Sequence, residues 1–341
     1  ITSQQRDACL LAMTDEVSTL VLKNNRLQNM ALSLASAVLP EHLYLYERFM
    51  DWAVSQGYLN KELEFLPSAK VLKERAALGK TLTRPELSIL LTYSKIILQK
   101  QIIGSGFGGS PMVADFAWQG LPQSLRDRYP SMMASHPLRQ DMIATQLSGD
   151  FIQDLGLTFI PEIKDEVDIT IDQIIASYLF IKHYFDLPSL HQALDQLDGC
   201  LSFEAIMKLR VQLRIVLRRS TRWLLRHPDI DVADTTILAE FKVMKSALLP
   251  AMPAMLTGQQ QEVYQNTKAI LNAHNVPKDV MERVGHIHLL FPSLNVIDTA
   301  LNCQADVVQL AQLSSFLSDK LKFSHLRAAL SYNNFSSRWS V

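Results

Sequence analysis

Leu10, Met13, Val17, Leu20, Asn24, Leu27, Ala31, Leu34 and Val38 recur at alternating spacings of three and four. That pattern predicts a long opening helix with an apolar seam and one polar member. Thr2 and Gln5 stand at capping-box spacing ahead of it, and Pro40 is its predicted end. Asn24-Asn25 marks an alternative break, because asparagine is a poor helix-interior residue. A seam this long implies a partner surface, since an uncovered apolar stripe promotes association.

A second helical stretch is predicted from about Glu41 to Gln56, stopped by Gly57. Ser68, after Pro67, opens another that Gly79 closes. Thr83 and Glu86 repeat the capping-box spacing, and Pro85 lies in the first turn, where its missing N–H costs no hydrogen bond. Leu90, Leu91, Tyr93 and Ile97 carry that helix to about Ile103. Further helices are predicted at 138–155, 170–184, 186–199 and 202–226. The last third reads as helices broken at Pro250, Pro253, Pro277 and Pro292. Leu157 to Ile163 is the single predicted strand, too isolated to define a sheet. No internal repeat or low-complexity linker interrupts the pattern. The expected fold class is all-α, a multi-helix bundle-like assembly in two helical parts, 1–155 and 156–341, divided within 149–166.

Composition narrows this picture. The 341 residues are 48% hydrophobic and 20% charged, which is globular and excludes disorder or a disulfide scaffold. Only 12 are glycine while 52 are leucine, a balance that favours helices packed on helices over a nucleotide-binding α/β fold. With 33 basic against 34 acidic residues, bulk charge gives no reason to expect nucleic acid or a membrane surface as partner. No apolar run is long enough for a transmembrane helix, and three dispersed cysteines suggest reduced thiols in a cytoplasmic protein. Without an initiator methionine or signal peptide, the chain reads as a piece of something longer.

Gly104-Ser105-Gly106-Phe107-Gly108-Gly109 matches G-x-G-x-x-G literally. A dinucleotide loop needs a strand before it and a helix directly after it; here a helix precedes and Ser110-Pro111 follows, so an interhelical loop is the better reading. Arg210, Arg214, Arg218, Arg222 and Arg226 fall every four residues. Ile206, Leu209, Leu213 and Val216 lie on the other side, with Val211 and Ile215 inside the arginine sector. Such a helix is expected to be internal, its arginines paired with carboxylates such as Asp195, Asp198, Asp229 or Asp231. The competing reading is a basic face for an anionic partner. His286-Ile287-His288 lacks further ligands at metal-site spacing, and His136 reads as a cap or surface residue. No nucleophile, base and electrophile assemble.

Arg6-Asp7, Met13-Thr14-Asp15-Glu16-Val17, Leu20-Val21-Leu22, Asn25, Gln28 and Ala31-Leu32-Ser33 resemble the segment following the catalytic domain in the large-subunit, NAD-specific glutamate dehydrogenases of bacteria. Leu82-Thr83-Arg84-Pro85-Glu86-Leu87 with Leu90-Leu91-Thr92-Tyr93-Ser94-Lys95 is similar to a second block of that family. His136-Pro137-Leu138-Arg139 with Ile143-Ala144-Thr145 resembles a third, and Arg222-Trp223-Leu224-Leu225-Arg226 a fourth. The blocks keep family order; the likeness thins after about Asp234, and Arg338-Trp339 looks like one further family position.

The resemblance implies a parent enzyme that oxidises L-glutamate to 2-oxoglutarate and ammonium with NAD as cofactor. The glycine-rich lysine motif and Rossmann unit that carry this chemistry in glutamate dehydrogenases lie outside 1–341. The segment is therefore expected to be inactive by itself and to bind no cofactor or metal. Its implied partners are the catalytic domain of the same polypeptide and further copies in a homo-oligomer. No catalytic residue is carried over. Arg6, Asp7, Asp15, Glu16, Asn25, Gln28, Thr83, Arg84, Glu86, Arg139, Arg222, Trp223 and Arg226 are expected to serve packing or interfaces.

Overall fold

A computed structural model describes residues 2–256 and 258–321, and Arg338-Trp339 lies outside them. Fifteen α-helices run through the described residues: α1 Ser3–Ser55, α2 Ala69–Ala77, α3 Arg84–Ser105, α4 Phe116–Gln119, α5 Gln123–Arg128, α6 Arg139–Leu155, α7 Phe159–Glu166, α8 Ile171–Phe185, α9 Leu187–Asp195, α10 Phe203–Leu225, α11 Thr235–Leu248, α12 Gly258–Ala273, α13 Lys278–Gly285, α14 Ile287–Cys303 and α15 Val307–Lys320. The one β-type pairing among them is an isolated bridge between Asp198 and Leu201, so the all-α class holds. Two compact units divide after Leu179, inside α8.

In the first unit α3 packs along α6, and α1 lies across both. Leu90, Leu98 and Ile102 of α3 and Ile143, Leu147 and Phe151 of α6 are fully buried. Phe49, Met50 and Ala53 from the inner end of α1 join the same core. The seam continues through Asn24-Asn25 without interruption. Pro40 does not end α1 either. The helix runs on to Ser55, and the disturbance is a kink at His42 (φ −127°, ψ 22°). Proline removes one backbone donor and crowds the preceding turn, but buried Leu39, Leu45 and Tyr46 hold the two arms together. The Tyr46 hydroxyl donates back across the kink to the Ala35 carbonyl at 3.3 Å.

The predicted strand at Leu157 to Ile163 is also corrected, for Phe159–Glu166 is helix α7. Phe159, Ile160 and Ile163 are buried with spacings that suit either structure, so a short apolar run cannot decide between them. Phe151 meets Phe159 and Tyr178 edge-on, at centroid separations of 6.1 and 5.1 Å. Tyr178, fully buried, donates to Asp154 Oδ2 at 2.7 Å.

In the second unit α14 packs against α10, α11 and α15, and α13 against α9 and α12. Phe241 sits edge-on between Phe180 and Tyr184, 5.5 and 5.9 Å away. Tyr184 Oη and Ser293 Oγ are 2.8 Å apart, and Ser293 donates to the Leu290 carbonyl at 2.7 Å. Because a serine hydroxyl carries one hydrogen, Tyr184 is the donor in the first of these bonds.

Candidate functional site

Most of the family-like polar residues are helix ends and interhelical clamps. Thr83 caps α3: its hydroxyl accepts from the Glu86 amide at 3.4 Å, and Glu86 Oε2 accepts from the Thr83 amide at 2.6 Å. Arg75, in the last turn of α2, donates from Nη1 to both Glu86 oxygens. Burial alone would raise the Glu86 carboxyl. The Arg75 and Thr83 hydrogen bonds outweigh it and hold the group below the usual carboxylate range. Arg84, the next residue, reaches α1 instead, donating to Asn29 Oδ1 at 3.0 Å and to Ser33 Oγ at 3.4 Å. Asn29 in turn donates to the Asn25 carbonyl at 3.1 Å. Asn25, Asn29, Ser33 and Arg84 thus form one polar clamp between α1 and the start of α3.

Glu16 performs a different task. Its Oε2 accepts from the Ser124 amide at 3.1 Å and the Ser124 hydroxyl at 3.2 Å. Pro122, at the N-cap of α5, supplies no side-chain cap, so a carboxylate from α1 fills that place and meets the positive end of the short helix. Arg139 donates to the Gly108 carbonyl at 3.3 Å and ties the start of α6 to the glycine-rich loop. In that loop Gly106 is a left-handed C-cap of α3 (φ 78°), followed by a single 3-10 turn at Phe107–Gly109. Helix, cap and turn are the wrong context for a pyrophosphate, which is the outcome expected from its neighbours in sequence.

Arg210, Arg214, Arg218 and Arg222 are all buried on α10, as the internal reading requires. Arg210 Nη2 pairs with Asp195 Oδ1 of α9 at 2.5 Å, one of the carboxylates anticipated. Only Arg226 of the five is exposed, so they cannot form a continuous basic face for an anionic partner. On the flank of the same helix Arg219 stacks over the Phe291 ring at 4.5 Å, and one turn on Trp223 Nε1 donates to Asn295 Oδ1 at 2.8 Å. The matching four-residue steps on α10 and α14 make two successive rungs.

The remaining expected positions are not brought to a common place. Arg6 and Asp7 pair with each other on an exposed turn, while Asp15 and Gln28 are exposed on α1. His286 and His288 flank the α13–α14 junction, and burial pushes both imidazoles below their ordinary value, partly offset at His286 by Glu282. Among the described residues no cluster of three His, Cys, Asp or Glu is arranged to hold a metal ion. Nor is any of their helices long and apolar enough to cross a membrane. Sequence reasoning missed Asn29, Arg75, Ser124 and Asn295. Arg75 alone left a signal, a cation in the last turn of one helix facing an acid in the first turn of the next.

Taken as a class, this is an all-α fold in which Glu16, Arg75, Thr83, Arg84, Glu86 and Arg139 fasten helix ends and neighbouring helices. Residues 79–341 match the family model described as "Glutamate dehydrogenase, C-terminal", and the chain belongs to that family. It is 32% identical over 301 residues, 88% of its length, to the NAD-specific glutamate dehydrogenase of Halomonas elongata. It is 30% identical over 312 residues, 91% of its length, to that of Pseudomonas aeruginosa. To the Mycobacterium tuberculosis enzyme it is 27% identical over 339 residues, 99% of its length. The alignments take up 18%, 19% and 21% of those three proteins, so the chain spans about a fifth of their length.

Proposed function

We propose that this chain is the helical C-terminal region of a cytoplasmic NAD-specific glutamate dehydrogenase and performs no chemistry itself. The parent reaction is L-glutamate, NAD and water to 2-oxoglutarate, ammonium and NADH. Hydride transfer and substrate binding belong to a catalytic domain elsewhere in the same polypeptide, and this region packs against that domain and supports a homo-oligomer. The supporting observation is the outer half of α1. Leu10, Leu11, Val17, Val21 and Leu22 are each 43 to 80% exposed on a helix whose inner half is core. Apolar side chains left in water along a helix favour a covering surface. Of the polar family residues, Glu16, Asn25, Thr83, Arg84, Glu86 and Arg139 are engaged in caps and clamps.

The test compares glutamate-dependent NAD reduction by the full polypeptide, by the polypeptide lacking this region, and by residues 1–341 alone. Turnover is expected from the first and none from the third, with loss of activity or of assembly in the second. Turnover by 1–341 alone would overturn the reading.

A further inference from the structure

The turn between α1 and α2 is held rigidly and presents two large apolar side chains to solvent. Phe65 is 90% exposed and Leu63 76%, whereas Leu59 and Leu66 on either side are buried at 5 and 8%. Phe65 also adopts a left-handed backbone (φ 52°), a conformation that costs free energy for any residue but glycine. This geometry is enforced from several directions. Asn60 Oδ1 accepts from the amides of Glu62 and Leu63 at 3.0 and 3.1 Å. The Phe65 amide donates to the Glu62 carbonyl at 3.2 Å and the Leu66 amide to the Lys61 carbonyl at 2.9 Å. Two of the three charges beside the tip are tied by neighbours, Lys61 to Asp51 at 2.5 Å and Glu64 to the Tyr93 hydroxyl, which donates to it at 2.5 Å, while Glu62 is exposed. Outward, beside the exposed Glu62, stand an aromatic ring and a leucine on a hydrogen-bonded frame. Rigid aromatic anchors of this kind lose little entropy on binding and concentrate interface energy.

We infer that the 59–67 turn is a docking knob, with Phe65 and Leu63 as its anchors, for another part of the same polypeptide. The inference rests on the proposed function, because it needs a longer parent chain. Two observations select this occupant over a second copy. Among the described residues, 11 of the 23 exposed large apolar side chains fall before residue 79, in less than a quarter of that length. That portion lies ahead of the stretch matched by the C-terminal family model, residues 79–341. Relatives that align with most of the chain are also about five times longer, so roughly four fifths of such a polypeptide lies outside this region. The uncovered surface is thus concentrated ahead of the part that the C-terminal family model covers.

The test places the photo-cross-linker p-benzoylphenylalanine at position 65 of the full-length polypeptide (Phe65→p-benzoylphenylalanine). After irradiation, denaturing electrophoresis separates one-chain from two-chain products, and peptide mapping locates the bond. The expected product keeps one-chain mass and joins position 65 to a peptide outside 1–341. A product of two-chain mass overturns the inference in favour of a second copy. Capture of a peptide within 1–341, or no cross-link, overturns it in favour of a self-covered or solvent-exposed turn. Glutamate-dependent NAD reduction measured on the same preparation separates the two readings. A polypeptide without that activity refutes the proposed function whatever the cross-link shows, and an active one with the wrong cross-link refutes only the knob.

Discussion

Arg75 Nη1 lies 2.9 Å from both carboxylate oxygens of Glu86, so one guanidinium joins the end of α2 to the start of α3. The same carboxylate closes the Thr83 capping box, so a single side chain serves two structures.

Replacing Glu86 by glutamine keeps its volume and removes its charge, and is expected to destabilise the protein by about 1 kcal/mol. Since the folded-state carboxyl is held below its unfolded value, the contribution is complete above about pH 4.3 and fades as pH falls through the folded value. Thermal denaturation of wild type and E86Q at a series of pH values should show two midpoints that converge on acidification. A constant gap would mean that charge is not what Glu86 contributes.

The two buried tyrosines carry unequal stakes. Tyr178→Phe withdraws a hydroxyl from Asp154, which is 5% exposed, whereas Tyr184→Phe withdraws one from the neutral Ser293. Removing a donor from a buried carboxylate costs roughly 2 kcal/mol and from a neutral acceptor about 1 kcal/mol. Urea denaturation should rank the variants in that order, and the reverse order would contradict the assigned partners.

Gly104 and Gly106 separate a helix cap from a nucleotide loop. Gly104 is helical with no atom within 4 Å of an added Cβ, so G104A should stabilise α3 by about 0.5 kcal/mol. Gly106 has φ +78°, and G106A should destabilise by about 1 kcal/mol. Calorimetric midpoints moving in opposite directions would mark the cap.

At Gly120 an added Cβ would lie 2.5 Å from Gln146 Nε2. Because its φ of −85° is ordinary, only this contact opposes alanine there. Nε2 is the movable end of a half-buried side chain, so G120A is expected to cost only up to about 0.5 kcal/mol. Combination with Q146A should recover most of that, and a double-mutant cycle showing simple additivity would remove the contact as the cause.

Helix starts were readable because their chemistry is local. Thr2 with Gln5 and Thr83 with Glu86 cap where spacing places them, and the helices expected to open at Ser68 and near 170 and 202 are capped by Ser68, Thr170 and Ser202. The errors arose where tertiary packing overrode a local rule. Pro40 removes one hydrogen bond, yet Leu39 and Tyr46 are buried on both sides of it, so the helix bends and continues; Pro292, expected to break a helix, likewise lies inside α14 between buried Leu290 and Leu294. The Leu157 to Ile163 run has no period that distinguishes strand from helix. Four of the five arginines, Arg210, Arg214, Arg218 and Arg222, lie inside as expected from the apolar residues that share their sector, whereas Arg226 is exposed; Asp195 was among the partners foreseen. Glu16 at the start of α5 was out of reach, since 108 residues separate it from Ser124 and no pattern links them.

The kinked first helix has a consequence for how the protein opens. From Ser3 to Met30 no side chain of α1 is buried, while Leu39, Phe49, Met50 and Ala53 are at or below 1% exposure. Outer turns can therefore break their own backbone bonds while giving up little apolar burial, and the interruption at Pro40 and His42 shields the inner arm from that fraying. Amide exchange along these 53 residues should rise in steps toward the N-terminus, with the first restraint at Glu16 and the next at Asn29. A single helix by geometry is thus at least two cooperative segments, and the outer one takes its protection from whatever surface lies against it.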